Sequence, residues 1–142
     1  MDMEKASLVH EFSFSDIQAF HKEVQKLCGQ RRSLYIYFTC NDDSNGRPWC
    51  PDCGLANPVV LKLVQEQSHT SLLVCRVGDR PAWKNAEHPL RTDPHLKLTG
   101  IPTLLKCNME TGEPIPGKRL GFELEQCKTG SEVENLVQGL IA

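Results

Sequence analysis

The sequence predicts an α/β domain with helices on both faces of a sheet. Three observations carry this: helix-periodic segments alternate with dense apolar runs, a hairpin signal follows, and a capped amphipathic helix closes the chain. At 142 residues one domain over 1–142 is expected. A chain of that size buries roughly two thirds of its unfolded surface and needs no disulfide staples.

The first helix is predicted from Ser13 as N-cap, with Asp16 at the third helical position and Phe12 and Ile17 placed as a hydrophobic staple. Ile17, Phe20, Val24 and Leu27 then repeat at helical spacing, and Gly29 is a stop. Leu34 to Thr39 is rich in aromatic and β-branched residues and suits a central strand. The polar loop Asn41 to Pro48 leads into Trp49-Cys50-Pro51-Asp52-Cys53. Leu55, Val59 and Leu63 continue that segment as an amphipathic helix to about Gln67, with a kink expected at Pro58. Ser71 to Val77 reads as a second buried strand, closed by Gly78. Asp79 to Pro94 reads as irregular, anchored by Trp83. Thr103 to Cys107 and Lys118 to Phe122 are expected to pair around Glu110 to Glu113. Ser131 and Glu134 supply a capping box for the last helix, whose stripe is Val133, Leu136, Val137, Leu140 and Ile141.

Composition narrows the function. A net charge of −2 with 24% charged residues gives no strong basic field, so neither nucleic acid nor anionic lipid is an expected partner. No apolar run is long enough to span a membrane, and Met1 to Ser7 lacks a secretory pattern. Seven cysteines is an odd count, and most lie within apolar periodic segments. Unpaired thiols belong to reducing compartments, so a cytoplasmic protein is expected.

Cys50 and Cys53 lie one helical turn apart, a spacing that supports cycling between dithiol and disulfide. Pro51 suits the first helical position, which makes Cys50 the N-cap, where free N–H groups and the helix dipole favour a thiolate. Cys50 is the candidate nucleophile and Cys53 the candidate resolving thiol. Asp52 suits any helix start, yet its charge also opposes a nearby thiolate. Trp49 offers packing or a partly exposed surface beside Cys50. The same spacing serves half a zinc site, but no second Cys-x-x-Cys or His-x-x-x-His completes it, so no metal is assigned. Cys28, Cys40, Cys75, Cys107 and Cys127 read as small buried hydrophobes or idle thiols. The five histidines form no ligand pattern, and Asp42 and Asp43 read as a solvated loop.

Cys50-Pro51-Asp52-Cys53, Pro58 eight residues after Cys50, and Ile101-Pro102-Thr103-Leu104-Leu105 resemble the thioredoxin superfamily. The Trp-Cys-Pro-Asp-Cys motif, the longer loop before it, Val77 to Lys84, Leu90-Arg91 and Gly117 to Leu120 are similar to the thioredoxin domain-containing protein 17 family, over about residues 8–142. The resemblance implies a thioredoxin-like fold, a mixed four- to five-stranded sheet flanked by helices. It implies protein-disulfide reduction with no bound cofactor, electrons arriving from NADPH through thioredoxin reductase. Small disulfides such as cystine and selected protein disulfides are the implied substrates. Pro51 and Asp52 then tune the redox potential, and Trp49 and the cis-proline Pro102 face the substrate. The buried aspartate of thioredoxin has no counterpart in Leu34 to Cys40, and Asp52 is a candidate proton acceptor for Cys53 in its stead. A monomer is expected. The alternative is a thioredoxin-shaped adaptor whose dithiol switches partner affinity without turnover.

Overall fold

The computed structural model describes residues 8–142; Met1 to Ser7, read above for a leader pattern, lie outside it. The chain runs β1 (Leu8–Ser13), α1 (Ile17–Leu27), β2 (Ser33–Thr39), α2 (Pro51–Gln65), β3 (Thr70–Arg76), α3 (Arg80–Lys84), α4 (Pro89–Thr92), β4 (Thr103–Cys107), β5 (Pro114–Leu120), α5 (Phe122–Glu125) and α6 (Gly130–Ile141). One five-stranded mixed sheet has the order β1-β3-β2-β4-β5. β3 pairs parallel with both β1 and β2, while β4 lies antiparallel to β2 and β5 to β4.

Strand alternation divides the core in two. Leu34, Ile36 and Phe38 of β2 pack with Phe20, Val24 and Leu27 of α1. Tyr35 and Tyr37 join the opposite cluster, with Ala56, Val60 and Val64 of α2 and Val133, Val137 and Leu140 of α6. The sheet is therefore covered on both faces, as expected. β2 lies between β3 and β4, and its C-terminal end faces the start of α2.

Several local expectations are corrected. Leu8–Ser13 is an edge strand, β1, paired only with β3; its short, polar-interrupted run gave little period-two signal. Ser13 does cap, accepting from the Ser15 N–H, but it opens a 3-10 turn at Phe14–Asp16 ahead of α1. The stretch Asp79 to Pro94 holds two short helices, each with a cap and a first-turn proline: Asp79 with Pro81, and His88 with Pro89. β5 begins at Pro114, before the predicted Lys118, since an edge strand tolerates proline. Phe122 belongs to α5. The α6 cap is Thr129 with Glu132, not Ser131 with Glu134: Thr129 Oγ1 accepts from Glu132 N at 3.2 Å. α2 ends at Gln65 and continues through Pro58.

His88 links this region to the core. It is 2% exposed, with Nε2 donating to Val77 O at 2.9 Å and Nδ1 accepting from Leu90 N at 3.1 Å. Phe14 and Trp83 pack against its ring. Burial lowers its pKa, the bond to Val77 O opposes that, and Arg91 adds to it. The neutral ring is thus the folded form. Its contribution to stability is complete above the unfolded-state pKa near ~6.5 and falls as pH drops toward the lower folded value. We expect urea midpoints to fall between pH 6.5 and 5, and His88→Phe to flatten that slope. An unchanged slope in the variant would exclude His88 as its source.

Candidate active site

The site forms where β2 ends and α2 begins. Cys50 is the N-cap of α2, with Pro51 exposed in the first turn and the half-buried Asp52 following. Cys50 is half-buried, whereas Cys53, one turn inward, is fully buried.

The N–H groups of the helix start do lower the Cys50 pKa, as expected, but they are not the leading cause. Cys50 makes no formed capping hydrogen bond. Its pKa is lowered to about 6, first by the Cys53 thiol donating to it. Burial opposes this, the Cys53 and Asp52 N–H groups assist, and the Asp52 charge opposes. Cys53 is pushed the other way: its proton is shared with Cys40 and Cys50, and burial adds to the rise. At neutral pH this pair therefore holds a thiolate at Cys50 and a thiol at Cys53.

Cys40 fits the expectation of a small buried residue, and it also lies close to the dithiol. It is fully buried, in the same core cluster as Cys53. Its own pKa is lowered to about 7 by the Cys53 thiol, against burial, with the Cys50 and Trp49 N–H groups helping. The sequence hid this because a loop separates Cys40 from Cys50. That loop is a small hairpin: Asp42 bridges Pro48 in antiparallel register, and Asp43 N donates to Arg47 O at 2.6 Å. Asp43, read as merely solvated, organises the turn by accepting from the N–H groups of Asn45 and Arg47. The remaining cysteines fit the expected reading. Burial raises Cys75 and Cys107 to about 12, Cys28 adding to the latter. Cys28 and Cys127 donate to carbonyls of their own helices' turns.

A polar network lies under Cys53. Asn57, one turn beyond it on α2, accepts from Tyr37 OH at 2.6 Å and from Thr39 Oγ1 at 2.7 Å. Thr39 also reaches Cys53, where its hydroxyl lowers the thiol pKa. The single Thr39 proton thus has two claimants, Asn57 while Cys53 is protonated and the sulfur once it ionises. Sequence reading missed these residues, although the Tyr37–Thr39 spacing on β2 and the Cys53–Asn57 spacing on α2 were available.

Asp52 does not stand among the leading partners of Cys53; those are Cys40, Cys50 and Thr39. Its field acts on Cys50, Glu125 and Cys127. We therefore expect Asp52→Asn to lower the pKa of Cys50 further, read from thiolate absorbance against pH. A rise would contradict the repulsive role.

Trp49 is half-buried. Its Nε1 donates to Gly78 O at 2.8 Å, and the Arg80 guanidinium stacks 4.7 Å from the ring centroid. Gly78 adopts φ +93°, and an added Cβ would meet Phe14 Cε1 at 2.7 Å, so only glycine serves there. Ile101-Pro102 is a cis peptide bond, and Pro102 is buried just before β4. Ile101 shares the core cluster of Cys40 and Cys53, against which Trp49 and Cys50 pack. A groove of about 370 Å³ lined by Thr99, Gly100, Thr103 and Glu125 lies on the flank toward Asp52, with the exposed Phe122 in its wall. Among the described residues no group of three His, Cys, Asp or Glu is placed to hold a metal ion, and no helix is long and apolar enough to cross a membrane.

The family model described as thioredoxin domain-containing protein 17-like, thioredoxin domain, matches residues 13–134. The human thioredoxin domain-containing protein 17 is 38% identical over 97 residues, covering 68% of this chain and 76% of that protein. The Danio rerio protein of the same name is 38% identical over 101 residues, 70% of this chain and 79% of its own. The thioredoxin-like protein Clot of Arabidopsis thaliana is 38% identical over 87 residues, 61% of this chain and 63% of its own length. With the sheet order, the dithiol at the start of α2 and these matches together, the chain belongs to the thioredoxin domain-containing protein 17-like family of thioredoxin domains.

Proposed function

We propose that the protein is a thiol–disulfide oxidoreductase that reduces small or peptide disulfides such as cystine. The Cys50 thiolate attacks one sulfur of the substrate, forming a mixed disulfide and expelling the other sulfur as a thiolate. Cys53 loses its proton and attacks Cys50, which releases the second substrate thiol and leaves a Cys50–Cys53 disulfide. Thioredoxin reductase, drawing on NADPH in the cytoplasm, returns the pair to the dithiol. The carrying observation is the placement of a half-buried Cys50 at the start of α2, one turn from the fully buried Cys53; the Cys53 thiol beside it lowers the Cys50 pKa to about 6. Pro51 and Asp52 set the potential through the helix start and its charge. Trp49 and the Ile101-Pro102 segment border the substrate, and the hairpin at Asn41 to Pro48 stands before Cys50 and restricts large folded partners.

Reductase-coupled NADPH consumption with cystine and with insulin tests this. Wild type is expected to turn over cystine, Cys50→Ser to fall to background, and Cys53→Ser to accumulate a mixed disulfide on Cys50. Wild-type turnover equal to that of Cys50→Ser would overturn the enzymatic reading and favour a non-catalytic binding role.

A further inference from the structure

Three sulfurs, rather than two, meet at the start of α2. Cys40 and Cys53 lie in one buried cluster against which Cys50 packs, and the Cys53 thiol bears on the ionisation of both other sulfurs. The Asp42–Pro48 bridge and the Asp43 N–H donating to Arg47 O fold the chain back on itself between Cys40 and Cys50. Cys40 and Cys53 are both fully buried, while Cys50 keeps access to solvent. We propose that Cys40 is a third redox thiol, which displaces Cys50 from Cys53 and moves the active-site disulfide inward to Cys40–Cys53. This rests on the redox reading of the Cys50/Cys53 pair.

The step balances as an isomerisation. The Cys40 thiolate attacks the Cys53 sulfur, the Cys50–Cys53 bond breaks, and Cys50 departs as the thiolate; no external oxidant or reductant is consumed. Once Cys53 is in a disulfide it has no proton to donate, but the N–H groups of Cys50 and Trp49 remain beside Cys40 to support its ionised form. Cys50 leaves at the start of α2, where the Cys53 and Asp52 N–H groups support its thiolate. The product differs functionally from the usual oxidised state. Its disulfide is enclosed, out of reach of a reductase or an outside thiol, while Cys50 is free again to form a mixed disulfide. Oxidation is stored inside, and recycling requires Cys50 to attack Cys53 in return.

Mild oxidation with one equivalent of diamide, acid trapping and peptide mapping test the proposal. A protease cutting before aspartate separates the three thiols at Asp42, Asp43 and Asp52, and fragmentation distinguishes them from Cys28 and Cys75. In Cys50→Ser, a Cys40–Cys53 disulfide is expected as the main product. Wild type is expected to hold both Cys50–Cys53 and Cys40–Cys53, and Cys40→Ala to hold Cys50–Cys53 alone, with its reduction by the reductase at least twofold faster. Free Cys40 in oxidised Cys50→Ser, or Cys53 joined there to any other thiol, overturns the proposal even where wild type forms Cys50–Cys53. Failure of wild type to form any disulfide at Cys53 overturns the dithiol reading itself and the proposal with it.

Discussion

Reaction of Cys50 with a small disulfide probe is expected to follow an ionisation near pH 6, and to exceed that of an ordinary thiol most clearly in acid. The lowered pKa has two opposed consequences. It fills the thiolate form at low pH, but a less basic thiolate attacks more slowly. Against an unperturbed thiol of pKa ~8.5, with a Brønsted slope of about 0.45, the net advantage is about twofold at pH 7, about tenfold at pH 6 and about twentyfold at pH 5. The neutral-pH rate alone is thus a blunt measure, and the midpoint is the decisive one. Stopped-flow rates from pH 4.5 to 9 should give a midpoint at about 6. Cys53→Ala should raise it, because the Cys53 thiol is the leading contribution, ahead of the helix N–H groups. A wild-type midpoint above 8 would remove the thiolate on which the mechanism depends. A Cys53→Ala midpoint unchanged from wild type would return the credit to the helix start.

The motif Cys50-Pro51-Asp52-Cys53 was legible because it is local: two sulfurs on one helical turn, with proline marking where the turn begins. β2, β3 and β4 were legible for the same reason, as continuous apolar runs. What escaped depends on chain reversal. Cys40 meets Cys50 only after the Asp42–Pro48 bridge folds the loop back, and nothing in the spacing of the cysteines announces that bridge. Thr39 and Tyr37 meet Asn57 only because β2 and α2 pack together. β1 escaped because an edge strand buries less and carries a weaker pattern, with Val9 42% exposed. The missing buried aspartate was noticed in the sequence. The polar groups that do lie near Cys53 could not be, since they come from β2 and from the next turn of α2.

That assembly makes Asn57 the residue whose loss should cost the most. Its side-chain oxygen is the acceptor for two hydroxyls, Tyr37 and Thr39, at a place where both strand residues are nearly or wholly inaccessible. Asn57→Leu keeps the number of side-chain heavy atoms but leaves two buried donors without that partner. At about 1–3 kcal/mol for each unsatisfied group, a loss of about 2–6 kcal/mol is expected. This is a substantial part of the ~5–15 kcal/mol that holds a domain together, and corresponds to a fall of roughly 10 °C in Tm. Removing the donors as well should recover much of the loss, because matched apolar groups leave nothing unpaired. The triple variant Asn57→Leu, Tyr37→Phe, Thr39→Val should accordingly melt above Asn57→Leu alone. The catalytic signature should move the other way. In Asn57→Leu the Thr39 hydroxyl has only the Cys53 sulfur to serve, which favours the resolving thiolate and should shorten the lifetime of a mixed disulfide on Cys50. A single-turnover release rate that rises as Tm falls would identify Asn57 as the group that holds the Thr39 proton away from Cys53. Parallel losses of stability and release rate would leave it as a packing residue.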